Sequence, residues 1–109
     1  MYEVLRTAAF SNWLAALEDR KGRTAVLSRL DRLALGNVGD SKAVGAGVSE
    51  LRIDVGPGYR VYFTRVGARI YVVLAGGAKR TQAADITSAI NMATELKAAS
   101  QSGAARRSK

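Results

Sequence analysis

The sequence of 109 residues contains no cysteine and no histidine, and each absence excludes a class of chemistry. Without cysteine there is no disulfide and no thiolate nucleophile, and a zinc site lacks its two usual ligand types. Without histidine, no side chain has an ordinary pKa near neutrality, so an acid–base step must use other groups. We therefore expect no bound metal and no other cofactor.

Long apolar runs are also missing, and acidic residues are few. The longest apolar run, residues 70–75, is far too short to span a membrane, and the first residues lack the layout of a signal peptide, so we expect a cytoplasmic protein. Nine acidic residues stand against 17 basic ones, a net charge of +8. This excess favours an anionic partner such as nucleic acid or an acidic protein surface.

The segment 50–63, ELRIDVGPGYRVYF, predicts a β-hairpin, because apolar and polar residues alternate on both sides of Gly-Pro-Gly. Pro57 suits the second position of a reverse turn, and Gly58 supplies the positive φ of the third. One face of this hairpin should be apolar and the other basic and aromatic. The predicted apolar face carries Leu51, Ile53, Val61 and Phe63, and the opposite face carries Arg52, Arg60, Tyr62 and Thr64.

The rest of the chain predicts a single α+β domain with the order β-α-α-β-β-β-α. A strand at 2–6 precedes two helices with apolar stripes, the first capped by Thr7 and the second ending at Gly36. The glycine-rich segment 37–47 predicts a loop. The predicted core consists of Trp13, Leu14, Leu17, Leu30, Leu51, Ile53, Val61, Phe63, Val72, Leu74, Ile86 and Ile90.

The C-terminal part of the domain adds a strand and a helix. A nearly all-apolar strand at 69–75 ends at Gly76-Gly77, and Thr81 caps a third helix. After residue 97 the composition is Ala, Ser, Gln, Gly and basic residues, which cannot bury enough surface to become ordered. We expect residues 1–97 to form the domain and residues 98–109 a flexible basic tail.

Four segments in one order resemble the RelE/ParE superfamily of toxin–antitoxin toxins, and in particular its HigB-like, phage-derived addiction-module killer proteins. They are WL-x-x-L-x-D at 13–19, GN-x-GD-x-K at 36–42, ELRI-x-x-GPGYRVYF at 50–63 and LAGG-x-K-x-TQ at 74–82. The resemblance extends from Phe10 to about Ala93. It implies a small antiparallel sheet with two N-terminal helices packed on one face and a basic concave surface on the other.

The resemblance also implies site residues. RelE-like members cut messenger RNA in the ribosomal decoding site without a metal, whereas ParE-like members poison DNA gyrase. Arg60 matches the arginine that stabilises the transition state in RelE-like nucleases. Lys79 and Arg80 match a basic pair, one member of which assists departure of the leaving group. Two positions depart from the family pattern. Where the family usually has Gly-Gly-Asp-Lys, residues 76–79 of this chain are Gly-Gly-Ala-Lys, and the tyrosine expected beyond the basic pair is absent from residues 84–86.

The residue types alone support the same site. A strand position holds the stem of Arg60, and its planar guanidinium matches phosphate oxygens, although the side chain can instead pair with Glu50 or Asp54. Lys79 and Arg80 follow a glycine pair at a strand-to-helix junction, where backbone amides and the helix dipole favour an anion. The alternative for this basic pair is a solvated turn.

Four further residues are predicted to contact RNA. Arg52 is either a second phosphate clamp or an ion-pair partner, and Lys42, in the glycine loop, contacts the RNA backbone or nothing. Tyr62 and Tyr71 are expected to share the polar face of the sheet, where an aromatic ring can stack on a splayed base. Packing within the sheet is the alternative for both tyrosines.

Two functions therefore remain open. One is a metal-independent, ribosome-dependent mRNA endoribonuclease that leaves a 2′,3′-cyclic phosphate and a 5′-hydroxyl end, and the other is a non-catalytic, ParE-like inhibitor of DNA gyrase. Cations converging from Arg60, Lys79 and Arg80 favour the first, because a pure binder does not need them. The missing tyrosine and histidine favour the second. By resemblance, either toxin would have a helix-turn-helix antitoxin as its partner.

Overall fold

The structure, a computed structural model, describes the backbone of residues 1–107 and the side chains of residues 1–99. The predicted flexible tail, 98–109, lies mostly outside the residues whose side chains are described, so the tail and the domain boundary at residue 97 stay predictions. The elements are β1 (Glu3–Arg6), α1 (Ala8–Ala16), α2 (Arg20–Ala34), β2 (Ser41–Gly45), β3 (Val48–Ile53), β4 (Tyr59–Val66), β5 (Ile70–Ala78), a 3₁₀ turn (Lys79–Thr81) and α3 (Gln82–Arg107).

The five strands form one mixed sheet in the order β1-β5-β4-β3-β2. The edge strand β1 pairs in parallel with β5, and the other neighbours are antiparallel. The α+β prediction is confirmed, but the sheet has one strand more than predicted. β2 lies within the predicted loop 37–47. The strand was missed for two reasons: the segment is rich in glycine, and an exposed edge strand does not need alternating apolar residues.

The helices α1 and α2 pack on one face of the sheet. The hydroxyl oxygen of Thr7 accepts a hydrogen bond from the amide of Phe10 at 3.1 Å and caps α1 as predicted, and Asp19 caps α2 through the amide of Gly22. α1 packs mainly against β5, whereas α2 packs against β1 and the hairpin strands β3 and β4. The core on this side contains Phe10, Leu14, Val26, Leu30, Leu33, Leu51, Ile53, Tyr59, Val61, Phe63, Tyr71 and Val73.

Helix α3 packs on the opposite face, which the sequence had predicted to be polar and open. Its small residues Ala89 and Ala93 are fully buried, so the helix lies close to β3, β4 and β5. None of the helices within residues 1–107 is long and apolar enough to cross a membrane. The second core contains Val48, Tyr62, Val72, Leu74, Ala89 and Ala93.

Of the twelve predicted core residues, eight are buried, and Trp13, Leu17, Ile86 and Ile90 are partly buried. The faces of the hairpin are as predicted, with Phe63 directed toward α1 and α2.

A bulge between β4 and β5 corrects one prediction. Tyr62 pairs with Ala75, but the next residue, Phe63, pairs with Val73, so β5 contributes an extra residue. A shift of one residue exchanges the faces of everything beyond it. Tyr71 therefore packs with Phe63 on the α1/α2 face, at 5.4 Å between ring centroids, while Tyr62 lies under α3. The prediction that Tyr62 and Tyr71 share a polar face is wrong.

Candidate functional site

The hairpin turn and the end of β5 meet at Gly58. The amide of Gly58 donates to the carbonyl of Val55 at 3.1 Å, so the turn spans 55–58, with Gly56 at φ +57°. Pro57 is thus the third turn residue rather than the second as predicted, and Gly58, at φ +80°, closes the turn and leads into β4. The carbonyl of Gly58 accepts from the amide of Lys79 at 2.8 Å, which ties the turn to the segment after β5.

Two of the predicted catalytic cations flank this glycine. A Cβ placed on Gly58 would lie 3.7 Å from the Cβ of Lys79 and 3.9 Å from Nη1 of Arg60. Arg60 is held by the sheet, since it pairs with Arg52 on β3 and with Gly77 on β5. Lys79 is exposed at the start of the 3₁₀ turn. The fold therefore brings these two cations, which are 19 positions apart in the sequence, to one corner of the molecule.

A fully buried carboxylate lies behind Arg60. Glu50 is 0% exposed, its Oε1 is 3.5 Å from Nε of Arg60, and its Oε2 accepts a hydrogen bond from Nε2 of Gln82 at 2.8 Å. The side chain of Arg60 is 13% exposed, and its Nη1 donates to the carbonyl of Tyr59. The predicted alternative, pairing of Arg60 with Glu50, is observed. The pair is an ion pair without a hydrogen bond, because Nε of Arg60 and Oε1 of Glu50 are both buried and have no hydrogen-bond partner among the described residues.

Tyr62 completes this buried polar cluster, which we define as Glu50, Arg60, Tyr62 and Gln82. The tyrosine is 0% exposed, and its hydroxyl has no hydrogen-bond partner among the described residues. Burial, with the negative charges of Glu50 and Asp85 adding to it, raises the pKa of Tyr62 well above its usual value. Neither this ring nor the buried ring of Tyr71 is open to a stacking base, so the alternative predicted for both tyrosines, packing within the sheet, is observed.

The glycine pair before Lys79 is part of the sheet, not of a phosphate-binding loop. Gly76 and Gly77 lie inside β5, opposite Val61 and Arg60 of β4. A Cβ on Gly77 would be 1.9 Å from Oδ2 of Asp85, so the glycine makes room for this carboxylate in the first turn of α3. The glycine pair is therefore committed to the sheet, and the anion preference predicted for the strand-to-helix junction at Lys79 and Arg80 stays a prediction.

Arg52 lies opposite Arg60 on the neighbouring strand β3, and Lys42 lies one strand further out, on β2. Arg52 forms a two-pronged ion pair with Oδ1 of Asp40, through Nε at 3.1 Å and Nη2 at 2.9 Å, so its ion-pair alternative is observed. Lys42 is exposed on β2, directly opposite Glu50. Arg29 donates to the carbonyls of Arg52, Val38 and Asp40, and burial lowers its pKa. It holds the segment between α2 and β2 in place.

Arg80 lies on the other side of the turn from Arg60. It is exposed and lines a cavity together with Trp13, Leu17, Pro57, Tyr59 and Ala78. The predicted catalytic set is therefore only partly assembled: Arg60 and Lys79 share the corner at Gly58, whereas Arg80 faces an aromatic cavity next to it.

Tyr59, in the wall of that cavity, is tied to the start of α2. Its hydroxyl donates to Oδ2 of Asp19 at 2.7 Å. This hydrogen bond, with the amide of Gly22 adding to it, lowers the pKa of Asp19, and the same bond raises the pKa of Tyr59. The link joins residues 40 positions apart and fixes the ring against α2.

Sequence reasoning missed Gln82, Asp19 and Arg29 as organisers of this region. The only signal for Gln82 was its place in the first turn of a helix beginning at a strand end. Asp19 was expected on the surface of the first helix; an acidic residue just before a helix is a common cap, but nothing local marks it as the partner of a distant tyrosine. Within residues 1–99, no three acidic side chains cluster as ligands of a metal ion would.

Comparison with known proteins gives two findings. The family model described as "Phage derived protein Gp49-like" matches residues 12–98. An uncharacterized protein of Haemophilus influenzae is 40% identical over 94 residues, which cover 86% of this chain and 95% of that protein. The match begins in α1 and includes the corner at Gly58, so the region compared contains the whole candidate site.

Proposed function

Because this chain belongs to the Gp49-like family of phage-derived, toxin-like proteins, we propose that it is the toxin of a type II toxin–antitoxin module and a metal-independent endoribonuclease. The observation that carries the nuclease proposal is the placement of Arg60 and Lys79 on either side of Gly58. A mostly buried arginine held in place and an exposed lysine that starts beside the same glycine suit a single phosphate group. A RelE-like, more specifically HigB-like, activity is the finer assignment that this corner supports.

The proposed reaction is cleavage of RNA by its own 2′-hydroxyl. The 2′-oxygen attacks phosphorus and its proton passes to water, the bond from phosphorus to the 5′-oxygen breaks, and a 2′,3′-cyclic phosphate forms. Arg60 stabilises the negative charge that develops on the non-bridging oxygens. Lys79 donates a proton to the departing 5′-oxygen, which leaves as a hydroxyl, and the lysine regains its proton from water.

Glu50 is the positioning residue of this mechanism. A free arginine side chain has many rotamers, and ordering it on the substrate costs conformational entropy. Here the carboxylate behind Nε and the backbone carbonyl of Tyr59 hold the guanidinium before RNA arrives. In this proposal the exposed part of the Arg60 side chain donates to a phosphate oxygen.

We propose messenger RNA in the ribosomal decoding site as the substrate and a helix-turn-helix antitoxin as the neutralising partner. The net charge of +8 supports an RNA partner, and the exposed Lys42 and the partly exposed Arg52 extend the basic surface beyond the catalytic corner. Lys42 contacts the backbone in this proposal. Arg52 first has to exchange Asp40 for phosphate, so it contributes less.

The test compares three variants of the folded protein. Arg60→Ala should lower messenger cleavage by about 10²–10³-fold, since it removes one donor to developing charge. Arg60→Lys should also fail, because a point ammonium does not replace the planar fork. Lys42→Ala should mainly weaken binding and reduce its salt dependence. Cleavage is measured by primer extension on messenger from a translation reaction, and folding by the melting temperature.

Arg65→Ala is the matched control, since this exposed arginine lies on the same strand but near the opposite end. It should cleave like the unmodified chain. Full cleavage by a folded Arg60→Ala protein would refute the mechanism. If the unmodified chain stops growth without new messenger ends and inhibits DNA supercoiling, the non-catalytic gyrase inhibitor is the correct alternative.

A further inference from the structure

A cavity of about 480 Å³ opens beside the hairpin turn, on the side away from Arg60. Its volume is within the range of sites that hold small organic ligands. The walls are mostly apolar, and Arg80 is the only charged residue among them. The cavity is lined by Trp13, Leu17, Pro57, Tyr59, Ala78 and Arg80.

Its two aromatic walls are fixed by close contacts with glycines. A Cβ on Gly76 would be 2.2 Å from the ring of Trp13, and one on Gly22 would be 2.5 Å from the ring of Tyr59. The Tyr59 hydroxyl is held by Asp19 as well. The two rings meet edge to face, with centroids 6.1 Å apart. Little side-chain entropy would be lost when a ligand binds between walls already in position.

The cavity adjoins the phosphate corner. Pro57 and Tyr59 line it, and Gly58 between them carries the carbonyl bound by the amide of Lys79. Arg80 follows Lys79 directly and reaches the cavity rim. A ligand with a flat aromatic part and an attached anion would therefore place the ring between apolar walls and the anion beside Lys79 and Arg80.

We propose that this aromatic cavity binds the nucleobase of the nucleotide next to the scissile phosphate, an inference that rests on the RNA-directed function proposed above. Every nucleobase has a π-face that stacks on aromatic side chains, so stacking tolerates all four bases. Arg80 is the one charged side chain in the lining that can donate hydrogen bonds to a base. We therefore expect the cavity to position the RNA but to select weakly among base sequences. It replaces the stacking role that the buried Tyr62 and Tyr71 do not perform.

Trp13 reports directly on this cavity, because it is the only tryptophan in the sequence. The probe is a short single-stranded oligonucleotide with 2′-O-methyl groups, which is not cleaved because its 2′-oxygens are blocked. A second oligonucleotide has the same backbone but is abasic at every position. At low salt the first should quench Trp13 fluorescence. The abasic one should bind about tenfold or more weakly and quench little.

Two variants separate the cavity from general charge attraction. Ala78→Leu fills the cavity without changing charge, and it should remove the preference for the base-bearing oligonucleotide. Arg80→Gln should weaken binding of both oligonucleotides. Arg65→Gln, with the same charge change at a distant exposed position, is the control and should retain the base preference. Binding of each variant is followed by the anisotropy of labelled oligonucleotide, after its melting temperature shows that it is folded.

The outcomes of this test differ from those of the nuclease test. If quenching depends on the base but the chain cleaves no messenger RNA, the result would support base binding in the cavity and refute the nuclease proposal. Cleavage accompanied by equal binding of the two oligonucleotides and no quenching would refute the cavity alone. Absence of binding by either oligonucleotide would also overturn the inference, and the cavity would then be free for an apolar side chain of a protein partner.

Discussion

The two faces of the sheet are closed in different ways. Toward α1 and α2, the buried side chains are apolar or aromatic, and Phe10, Val26 and Leu33 are completely inaccessible. Toward α3, the apolar core is smaller and adjoins the buried polar cluster. There Glu50 is 0% exposed, and the hydroxyl of Tyr62 has no hydrogen-bond partner within residues 1–99. The first face contributes most of the apolar core, whereas the second carries the groups around Arg60 that we propose to be catalytic.

The face toward α3 is the less favourable one for stability. Burying a carboxylate or an unpaired hydroxyl costs free energy that well-packed apolar residues would not. A chain selected only for stability would fill the place of Glu50 with an apolar residue. We infer that the polar cluster is kept because it positions Arg60. Predictions about the two faces should therefore separate stability from activity.

The largest stability effect is expected on the apolar face. Phe10→Ala should lower the free energy of unfolding by about 3–5 kcal/mol, because it removes a fully buried ring and leaves a cavity between α1 and the sheet. Urea unfolding measures the change. A loss below 1 kcal/mol would mean that this face collapses readily around the gap, and that the contrast between the faces is overstated.

An intermediate effect is expected in the polar cluster. Glu50→Ala should cost about 1–3 kcal/mol, because Arg60 and Gln82 lose a buried partner, and it should also reduce messenger cleavage. The double variant Glu50→Leu, Arg60→Leu should recover much of the stability, since apolar replacement of a buried ion pair is often neutral, and should have no cleavage activity.

Asp40→Ala is the control for that cycle. It breaks the ion pair between Asp40 and Arg52, whose side chains are 58% and 41% exposed, respectively. Because the pair is exposed, the free energy of unfolding should fall by less than about 1 kcal/mol. If the double variant remains as unstable as Glu50→Ala, the ion pair itself contributes to stability. Full cleavage activity of folded Glu50→Ala protein would show that Arg60 needs no positioning.

The smallest effect is expected at Tyr62. Tyr62→Phe removes an unpartnered buried hydroxyl, so stability at neutral pH should change by less than about 1 kcal/mol. At alkaline pH the difference should grow. The folded pKa of Tyr62 is raised above its unfolded value of about 10, so the unfolded chain loses its proton first and stability falls as pH rises beyond that value.

Urea unfolding between neutral and alkaline pH measures this slope in both proteins. Tyr62→Phe should reduce the slope without abolishing it, because the pKa of Tyr59 is also raised, by its hydrogen bond to Asp19. An unchanged slope would show that Tyr62 is not buried as a neutral hydroxyl.

Local pattern determined much of this protein before any tertiary contact was known. The α+β class, the hairpin, its apolar face and the Thr7 cap follow from alternation, helical spacing and the preferences of turn and cap residues. The missing histidine and the excess of positive charge limit the chemistry in the same way. These features depend on residues near one another in the chain, so a sequence is enough to predict them.

Tertiary structure alone decided which side chains meet at the site. The bulge that places Tyr71 on the α1/α2 face is one extra residue between two regular strands, and no local pattern marks it. The burial of Tyr62 depends on where α3 crosses the sheet, and the approach of Trp13 to Gly76 depends on how α1 sits against β5. Each is a contact between distant segments. The geometry of such a contact depends on how whole helices and strands pack. Alternative packings differ little in energy, and no single stretch of sequence determines which one is favoured.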